Sequence, residues 1–334
     1  MMPPLSIAMP VSESSQVGEA RRHFARLAAE AGLSEKDCAR VSLIVTELGT
    51  NLVKHARNGE LLARSLAAEE GTGIVIHSID RGPGMRNLDE CQQDGFSTVG
   101  SSGIGLGTLK RQADTFDLYS LEQVGTVIAV SVVASPAPTS GLEISQINAP
   151  APGETSCGDA SMLLRHGPGA TLMMIDGLGH GPHAAAAADE AMRIAREYAG
   201  KPPVELISLI HEALKKTRGA AVAIARINPP TCQLSFCSVG NISTSLVRYG
   251  HSKTLPTTNG IVGHMLSRLE AVSQPWTGLD LLVMHTDGLH AHTKVYSQPG
   301  LLVRPVSLIA GMIYGQQKRG RDDASVLVAR TSKK

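Results

Sequence analysis

The chain has 334 residues, of which 42% are hydrophobic and only 3% aromatic, and its formal net charge is +1. This length predicts roughly two domains, whose cores must be filled mainly by aliphatic side chains. A net charge so close to zero gives no general attraction for nucleic acid or for a membrane surface, and no apolar run reaches the ~20 residues that a transmembrane helix needs. We therefore expect no nucleic-acid partner and no membrane partner.

The cysteines and the N-terminus indicate the compartment. The opening residues lack a positively charged segment before a long apolar core, so they make a poor signal peptide. The five cysteines form no CxxC pair, and a scattered, odd set of thiols fits a reducing compartment. We expect a cytoplasmic protein.

The first half of the chain predicts helix, helix, strand, glycine-rich loop, helix, strand and strand. The first helix ends at Gly32, and Ser34 is placed to cap the start of the second. The predicted strands cover residues 73–80, 116–121 and 126–133.

The second half follows a segment rich in Pro, Ser and Gly at 134–141, which predicts a linker. Two adjacent helices are predicted near residues 183–199 and 204–217, among strands at 171–176, 220–227, 232–239, 279–286 and 325–329. This mixture predicts a layered, sheet-rich α/β architecture.

Polar residues of the first half suggest a nucleotide site. Glu47 and Asn51 are one helical turn apart and share a face, although such a pair usually lies on a solvated surface. Asp80 ends a predicted strand and opens the string DRGPGM. The later string GSSGIGLGTLKRQAD is a glycine-rich segment that runs into a helix, where backbone N–H groups can approach phosphate. It is not a Walker A motif, because no GxxxxGK[ST] occurs.

Together, the strings VTEL…NLVKHA, DRGPGM, GIGLGT and the later Gly-Thr pair resemble the ATP-binding fold of GHKL proteins over about residues 17–133. Within that superfamily they are most similar to the small RsbW- and RsbT-type serine kinases of bacterial partner switching. The resemblance implies a Bergerat α/β sandwich that binds ATP with one Mg²⁺ ion. Glu47 would be the general base for a substrate serine and Asn51 would hold Mg²⁺. The residues implied to contact ATP are Asp80, Gly82, Gly84 and Thr126 around adenine and Gly103, Gly105 and Gly107 along the phosphates.

Aspartates of the second half sit where apolar runs begin or end. Asp176 ends one run in MMIDGLGHG and Asp287 ends another in VMHTDGLHA. Asp159 lies upstream, and Asp322-Asp323 opens the last run. A single Asp-Gly pair is most often a turn. Carboxylates brought from several strand ends to one place, however, suit hard divalent cations, which can activate water against a phosphate ester.

Together with the Gly-Asn pair at the strand end in CSVGNIS, the order of these strings resembles the SpoIIE branch of the type 2C metal-dependent protein phosphatases, including RsbX, from about residue 141 to 330. The resemblance implies an α-β-β-α sandwich and two Mg²⁺ or Mn²⁺ ions. Asp176 would bridge the ions with help from the Gly177 carbonyl, while Asp287, Asp322 and Asp159 would complete the site; Asp176 and Asp287 are the implied catalytic residues. The sequence does not separate Asp322 from Asp323, although the family pattern favours the first. His180 is either a group that supports the site or donates a proton to the leaving group, or a structural loop residue.

We therefore expect an α/β protein with a GHKL domain at 1–134, a linker at 135–141 and a phosphatase domain at 142–334. Three arrangements follow from the resemblance. In the first, both domains act on one STAS-domain phosphoprotein. In the second, the N-terminal domain is a nucleotide-dependent regulator of the phosphatase. In the third, it sequesters a sigma factor or another downstream switch protein beside a degenerate phosphatase. The oligomeric state is left open.

Overall fold

A computed structural model describes residues 5–85, 105–136, 141–166, 169–291 and 293–332. The chain divides into two compact units, Ser6–Pro138 and Thr139–Lys334 together with Met1–Leu5. The predicted domain boundaries stay predictions, but each unit has its own sheets and its own core.

The N-terminal unit is one five-stranded antiparallel sheet covered by helices. The strands lie in the order β1-β2-β3-β5-β4. The helices of this unit are α1 (Ser14–Glu30), α2 (Glu35–His55) and α3 (Gly105–Gln112), and its strands are β1 (Ile7–Pro10), β2 (Glu60–Ser65), β3 (Gly71–Asp80), β4 (Thr115–Leu121) and β5 (Gly125–Pro136).

The core of this unit lies between the helices and one face of the sheet. Phe24 of α1 and Ile44 of α2 are fully buried against alternate residues of the strands, such as Ile74 and Ile76 of β3. The apolar residues of the helices lie on the faces toward the sheet, and alternate residues of the strands face the helices. Both sets of side chains fill this layer. As predicted, Ser34 caps α2, because its side-chain oxygen accepts the backbone N–H of Asp37.

The C-terminal unit contains two five-stranded antiparallel sheets and a small hairpin. The sheet orders are β15-β10-β9-β8-β7 and β12-β11-β16-β17-β6, which we call the first and second sheets, and β13 pairs with β14. The strands are β6 (Leu142–Ala149), β7 (Asp159–His166), β8 (Gly169–Gly177), β9 (Ala220–Asn228), β10 (Gln233–Val239), β11 (Ser243–Arg248), β12 (His251–Thr254), β13 (Gly260–Ile261), β14 (Met265–Leu266), β15 (Val272–Pro275), β16 (Leu281–His285) and β17 (Ala324–Thr331).

The helices of the C-terminal unit are α4 (Pro182–Glu197), α5 (Pro203–Leu214) and α6 (Val306–Gln317), with 3-10 turns at Thr293–Ser297 and Leu301–Val303. Helices α4 and α5 pack on the outer face of the first sheet, and α6 packs on β17 and β6 of the second.

Alternation along β8 shows how the sequence builds these layers. Met173 and Ile175 face α4 and α5, whereas Leu172 and Met174 face the second sheet. Trp276, which is the only tryptophan, is buried between the two sheets. The layers therefore stack as α-β-β-α, and the predicted two-domain α/β fold class is confirmed. Among the described residues, no helix is both long enough and apolar enough to cross a lipid bilayer.

Candidate functional sites

The nucleotide-site candidates on α2 lie beside the first residue of α3. A Cβ atom placed on Gly105 would be 3.1 Å from Glu47 Oε2 and 3.8 Å from both side-chain amide atoms of Asn51. Glu47 and Asn51 are both half-buried. The structure thus brings these two predicted residues together with the start of the glycine-rich helix. The absence of a side chain at Gly105 leaves room for the side chains of Glu47 and Asn51.

A second group forms where β3 and β5 pair. Asp80 is opposite Thr126 in the register, and its Oδ1 accepts the backbone N–H of Gly82 at 2.6 Å. Burial raises the pKa of the Asp80 carboxyl, whereas the backbone N–H groups of Gly82 and Thr126 oppose that rise. The Asp80 carboxylate is therefore held in a fixed, partly desolvated position.

Ser120 joins this group, although sequence reasoning did not select it. Its Oγ lies 2.8 Å from Thr126 Oγ1 and accepts the backbone N–H of Met85 at 2.9 Å. A serine inside a strand carries no motif, so only the pairing of β4 with β5 places it there.

The glycines of this site allow close backbone approach. A Cβ on Gly82 would lie 2.7 Å from Asp80 Oδ1, and Gly84 has φ +73° with its missing Cβ directed into the Leu121 carbonyl. Gly107 is buried within α3. Gly103 and the short segment between the two glycine motifs lie outside the described residues.

The phosphatase-site candidates of the first sheet lie at one edge. Asp159 begins β7 and is directly opposite Asp176 near the end of β8. Gly177 follows, and its N–H donates to the Gly158 carbonyl at 3.0 Å. Gly177 has no room for a side chain, because a Cβ would collide with the carbonyl of Ala184.

The second sheet brings further acidic residues to the same place. Asp287 follows β16, and Thr286 Oγ1 donates to Asp159 Oδ2 across the two sheets at 2.6 Å. Asn241, at the end of β10, donates from Nδ2 to Asp287 Oδ2 at 2.8 Å. The sequence offered a Gly-Asn strand end at this position, but only the structure shows that Asn241 and Thr286 link the carboxylates of the two sheets.

The carboxylates are close enough to disturb one another. Burial, and then the charge of Asp176, raises the pKa of Asp159 well above its usual range. Burial raises the pKa of Asp176 to about 7, with added repulsion from Asp287 and Asp322 and an opposing hydrogen bond from Asn241. Close packing at this edge therefore opposes the ionisation of Asp159 and Asp176.

Asp322 and Asp323 have different environments. Asp323 is 3% exposed, and its two oxygens accept the backbone N–H groups of Ala151 and Gly158, each at 2.7 Å. Burial raises the pKa of Asp323, and these two N–H bonds oppose the rise. Asp322 is exposed, and the N–H of Asp323 donates to its Oδ1 at 2.9 Å. Asp323 is thus occupied in holding the segment before Asp159, whereas Asp322 can offer oxygen outward.

The donor set fits a hard divalent cation. Carboxylate oxygens from Asp159, Asp176, Asp287 and Asp322 converge, and such oxygens are preferred by Mg²⁺ and Mn²⁺. Among the described residues, however, no three acidic, histidine or cysteine side chains are already arranged as a finished metal-binding group. Ion binding would therefore require local adjustment of these side chains.

His180 lies on the exposed loop after Gly177. Its Nδ1 is 3.0 Å from Glu154 Oε1, which joins this loop to the segment preceding Asp159. Both interpretations of His180 as a supporting or a structural residue agree with this contact.

Two family matches divide the chain in the same way as the fold. Residues 11–132 match the family described as Histidine kinase-like ATPase domain, and residues 167–332 match the family described as Stage II sporulation protein E (SpoIIE). The two folds define the class, which is a GHKL-type ATPase domain joined to a type 2C serine/threonine phosphatase domain.

Two relatives of known activity show which kinase and which phosphatase the chain is similar to. The chain is 35% identical over 109 residues to serine/threonine-protein kinase RsbT of Bacillus subtilis (strain 168), covering 33% of this chain and 82% of RsbT. It is 25% identical over 139 residues to phosphoserine phosphatase RsbX of the same strain, covering 41% of this chain and 70% of RsbX. The chain therefore belongs to the RsbT-like kinase family through its N-terminal domain and carries a SpoIIE-family phosphatase domain at its C-terminal end.

Two solved structures are similar to part of this chain. A structure described as "The bacterial stressosome: a modular system that has been adapted to control secondary messenger signaling" has a TM-score of 0.52 and 29% identity, covering 57% of this chain and 99% of that chain. RsbX in complex with magnesium has a TM-score of 0.51 and 22% identity, covering 57% and 96% respectively, and shows a shared fold.

Proposed function

We propose that this chain is a cytoplasmic partner-switching regulator that sets the phosphorylation of a STAS-domain protein. Its N-terminal domain, placed at residues 1–134, would phosphorylate serine with ATP, and its C-terminal domain, placed at 142–334, would hydrolyse phosphoserine or phosphothreonine. The observation that carries the proposal is the convergence of four carboxylates at one edge of two sheets, in a chain that also has an RsbT-like domain.

The phosphatase site would be assembled from both sheets. Asp159, Asp176, Asp287 and Asp322 would hold two Mg²⁺ or Mn²⁺ ions, with the Gly177 carbonyl as a further oxygen. When bound, such ions would lower the pKa of a water molecule and offset the charge of the phosphoryl group.

Asn241 and Thr286 would orient the carboxylates through their hydrogen bonds. We assign the ligand role to Asp322, since both oxygens of Asp323 already accept backbone N–H groups. In hydrolysis, water adds to phosphorus and the serine oxygen leaves with a proton.

The kinase site would use the contacts around Gly105 and Asp80. Glu47 would accept the proton of the substrate serine hydroxyl as its oxygen attacks the γ-phosphorus and ADP leaves. Asn51 would hold the Mg²⁺ that accompanies ATP. Asp80 would accept a hydrogen bond from the adenine amino group, in a pocket shaped by Gly82, Gly84 and Thr126, while Gly103, Gly105 and Gly107 would line the phosphates.

The test is phosphate transfer from γ-labelled ATP to a STAS-domain protein, in Mg²⁺ and then in Mn²⁺. With the wild type, label should turn over, whereas Asp176→Ala should accumulate labelled substrate because hydrolysis is lost. Glu47→Gln in the Asp176→Ala background should remove this label and serves as the control for phosphotransfer.

Other outcomes would change the proposal. If no variant transfers label but the wild type clears pre-phosphorylated substrate, the N-terminal domain is a nucleotide-dependent regulator and the kinase assignment is wrong. If Asp176→Ala still clears phosphoserine, the metal-site assignment is wrong. Unchanged Mg·ATP affinity in Asn51→Ala would remove the chemical basis of the N-terminal site.

A further inference from the structure

Arg218 lies just before β9, at the end of the first sheet that carries Asp176, and has no role in the proposed metal site. Ala221 and Ala220 at the start of β9 are paired with Asp176 and Gly177 of β8. The carbonyl of Gly219 then accepts the N–H of Leu178 at 3.1 Å. Arg218 is the next residue outward, so the backbone places it at the same edge as Asp176.

The Arg218 side chain lies against the loop that follows Asp176. Its Nη1 is 3.2 Å from the position that a Cβ on Gly179 would occupy, and Gly179 has φ +84°. A side chain at Gly179 would therefore crowd the guanidinium group as well as strain the backbone. The loop thus leaves space for the guanidinium group at Gly179, three residues after Asp176.

The guanidinium group is exposed and is not committed to another residue. Within the described parts of the chain, Arg218 has no ion-pair or hydrogen-bond partner. By contrast, Arg248 is bound to Asp280 and Arg330 to Glu143. Arg218 therefore keeps its N–H donors available at the edge of an acidic site.

The chemistry of the substrate gives this arrangement a use. A cation at the edge of the site attracts a phosphoserine dianion, in addition to the ions that the four carboxylates would hold. A guanidinium group also matches two phosphate oxygens with parallel N–H donors, which an ammonium group cannot do.

We propose that Arg218 binds the phosphoryl group of the phosphoserine or phosphothreonine substrate. It would pair two parallel N–H donors with two phosphoryl oxygens and offset part of the charge of the phosphate monoester. This inference rests on the proposed phosphatase function and adds a substrate contact that the four carboxylates cannot supply.

The experiment compares Arg218→Ala and Arg218→Lys with the wild type in the full chain, using a phosphoserine peptide at fixed, saturating Mg²⁺. We expect Arg218→Ala to lower kcat/KM by about 10- to 100-fold, and Arg218→Lys to recover only part of that loss. Inhibition by inorganic phosphate, which reports phosphoryl binding without turnover, should weaken in parallel. Tryptophan fluorescence melting would verify that both variants remain folded.

Arg304→Ala is the matched control. Arg304 is also exposed, but it lies near the far end of β17, where Arg330 Nη1 donates to the carbonyl of Leu302 and Val306 N–H donates to Glu143. We expect its kcat/KM to stay within about twofold of the wild type, since surface substitutions away from a site have small effects.

The possible outcomes distinguish a failure of the Arg218 proposal from a failure of the proposed phosphatase function. If Arg218→Ala matches the wild type while Asp176→Ala is inactive, the Arg218 assignment is wrong and the phosphatase function stands. If Arg218→Ala loses activity but binds inorganic phosphate as tightly as the wild type, the phosphoryl contact is also refuted. A wild type that does not hydrolyse the peptide would overturn the phosphatase function and this inference together.

Discussion

Asp323→Asn should destabilise the C-terminal domain even when no divalent ion is present. The carboxylate accepts two backbone N–H groups, from Ala151 and Gly158, at 2.7 Å each. Asparagine keeps one acceptor oxygen but turns an NH₂ donor toward the other N–H. A buried N–H donor left unpaired costs about 1–3 kcal/mol, and the other N–H exchanges a charged acceptor for a neutral one, which costs about 1 kcal/mol more. We therefore expect a loss of about 2–4 kcal/mol in the free energy of unfolding.

For a domain of this size, that loss corresponds to a fall of about 4–16 °C in Tm, at roughly 2–4 °C per kcal/mol. The full chain can be used, because its only tryptophan, Trp276, is buried in the C-terminal domain and its fluorescence follows that domain alone. A chelator in the buffer removes any contribution from bound ions. The Tm should then report the stability that Asp323 provides by accepting the N–H groups of Ala151 and Gly158. We call this pair of hydrogen bonds the clamp.

Asp322→Asn is the matched control, since it makes the same chemical change one residue away. Its exposed side chain accepts only the neighbouring N–H of Asp323, and the asparagine oxygen can keep that bond. We expect a change within about 0.5 kcal/mol. Equal Tm values for Asp323→Asn and the wild type, or a larger fall for Asp322→Asn, would refute the assignment of Asp323 as the clamp and Asp322 as the outward ligand.

Three further outcomes follow from the N-terminal unit. Gly105→Ala would place a methyl group 3.1 Å from Glu47 Oε2, and we expect phosphotransfer, measured with labelled ATP, to fall by roughly tenfold or more; an unchanged rate would contradict the proximity argument. Asp80→Asn should raise the Kd for ATP, measured by calorimetry, about tenfold or more, because a charged acceptor becomes neutral; wild-type affinity would argue against Asp80 as the adenine contact. Arg64→Ala removes the guanidinium group that lies 2.7 Å from Glu70, and we expect it to destabilise this unit by about 3–5 kcal/mol. Unfolding would be followed by circular dichroism, while the tryptophan fluorescence of the C-terminal unit stays unchanged. A small loss of stability would show that the Glu70 carboxylate moves into water.

The sequence predicted those elements whose local pattern agreed with their place in the fold. Ser34 precedes an amphipathic run and caps α2 as expected. The run TLMMID alternates between two apolar layers and forms most of β8. Because local preference and tertiary environment pointed to the same structure in these segments, no distant contact was needed to predict them.

The secondary-structure elements that the sequence analysis did not predict depend on contacts between residues distant in the sequence. Strand β2 contains Arg64, whose buried guanidinium group donates two hydrogen bonds to Glu70 at 2.7 Å each. Helix α6 is apolar on nearly every side, so its sequence has no period that separates a helix from a buried strand. In both segments the tertiary environment determines the structure, and hydropathy alone does not reveal it.

The candidate sites follow the same distinction. The aspartates could be selected because they stand at the ends of apolar runs, and the Gly-Asn pair marked the position of Asn241, but Thr286 and Ser120 have ordinary neighbours in the sequence. Their positions arise from strand pairing and from contacts between sheets. The same contacts separate the environments of Asp322 and Asp323, which adjacent identical residues could not do in the sequence.

The carboxylates come from two different sheets. Ion binding would therefore link the metal supply of the cell to the lifetime of the protein. Asp159 and Asp176 belong to the first sheet, whereas Asp287 and Asp322 flank strands of the second. An ion held by both pairs would act as a crosslink between the halves of the sandwich and, at a concentration 100 times its Kd, would add about 2.7 kcal/mol of stability. Cells short of the ion would then lose not only turnover but also the protein itself, because the unbound sandwich opens more often to proteases.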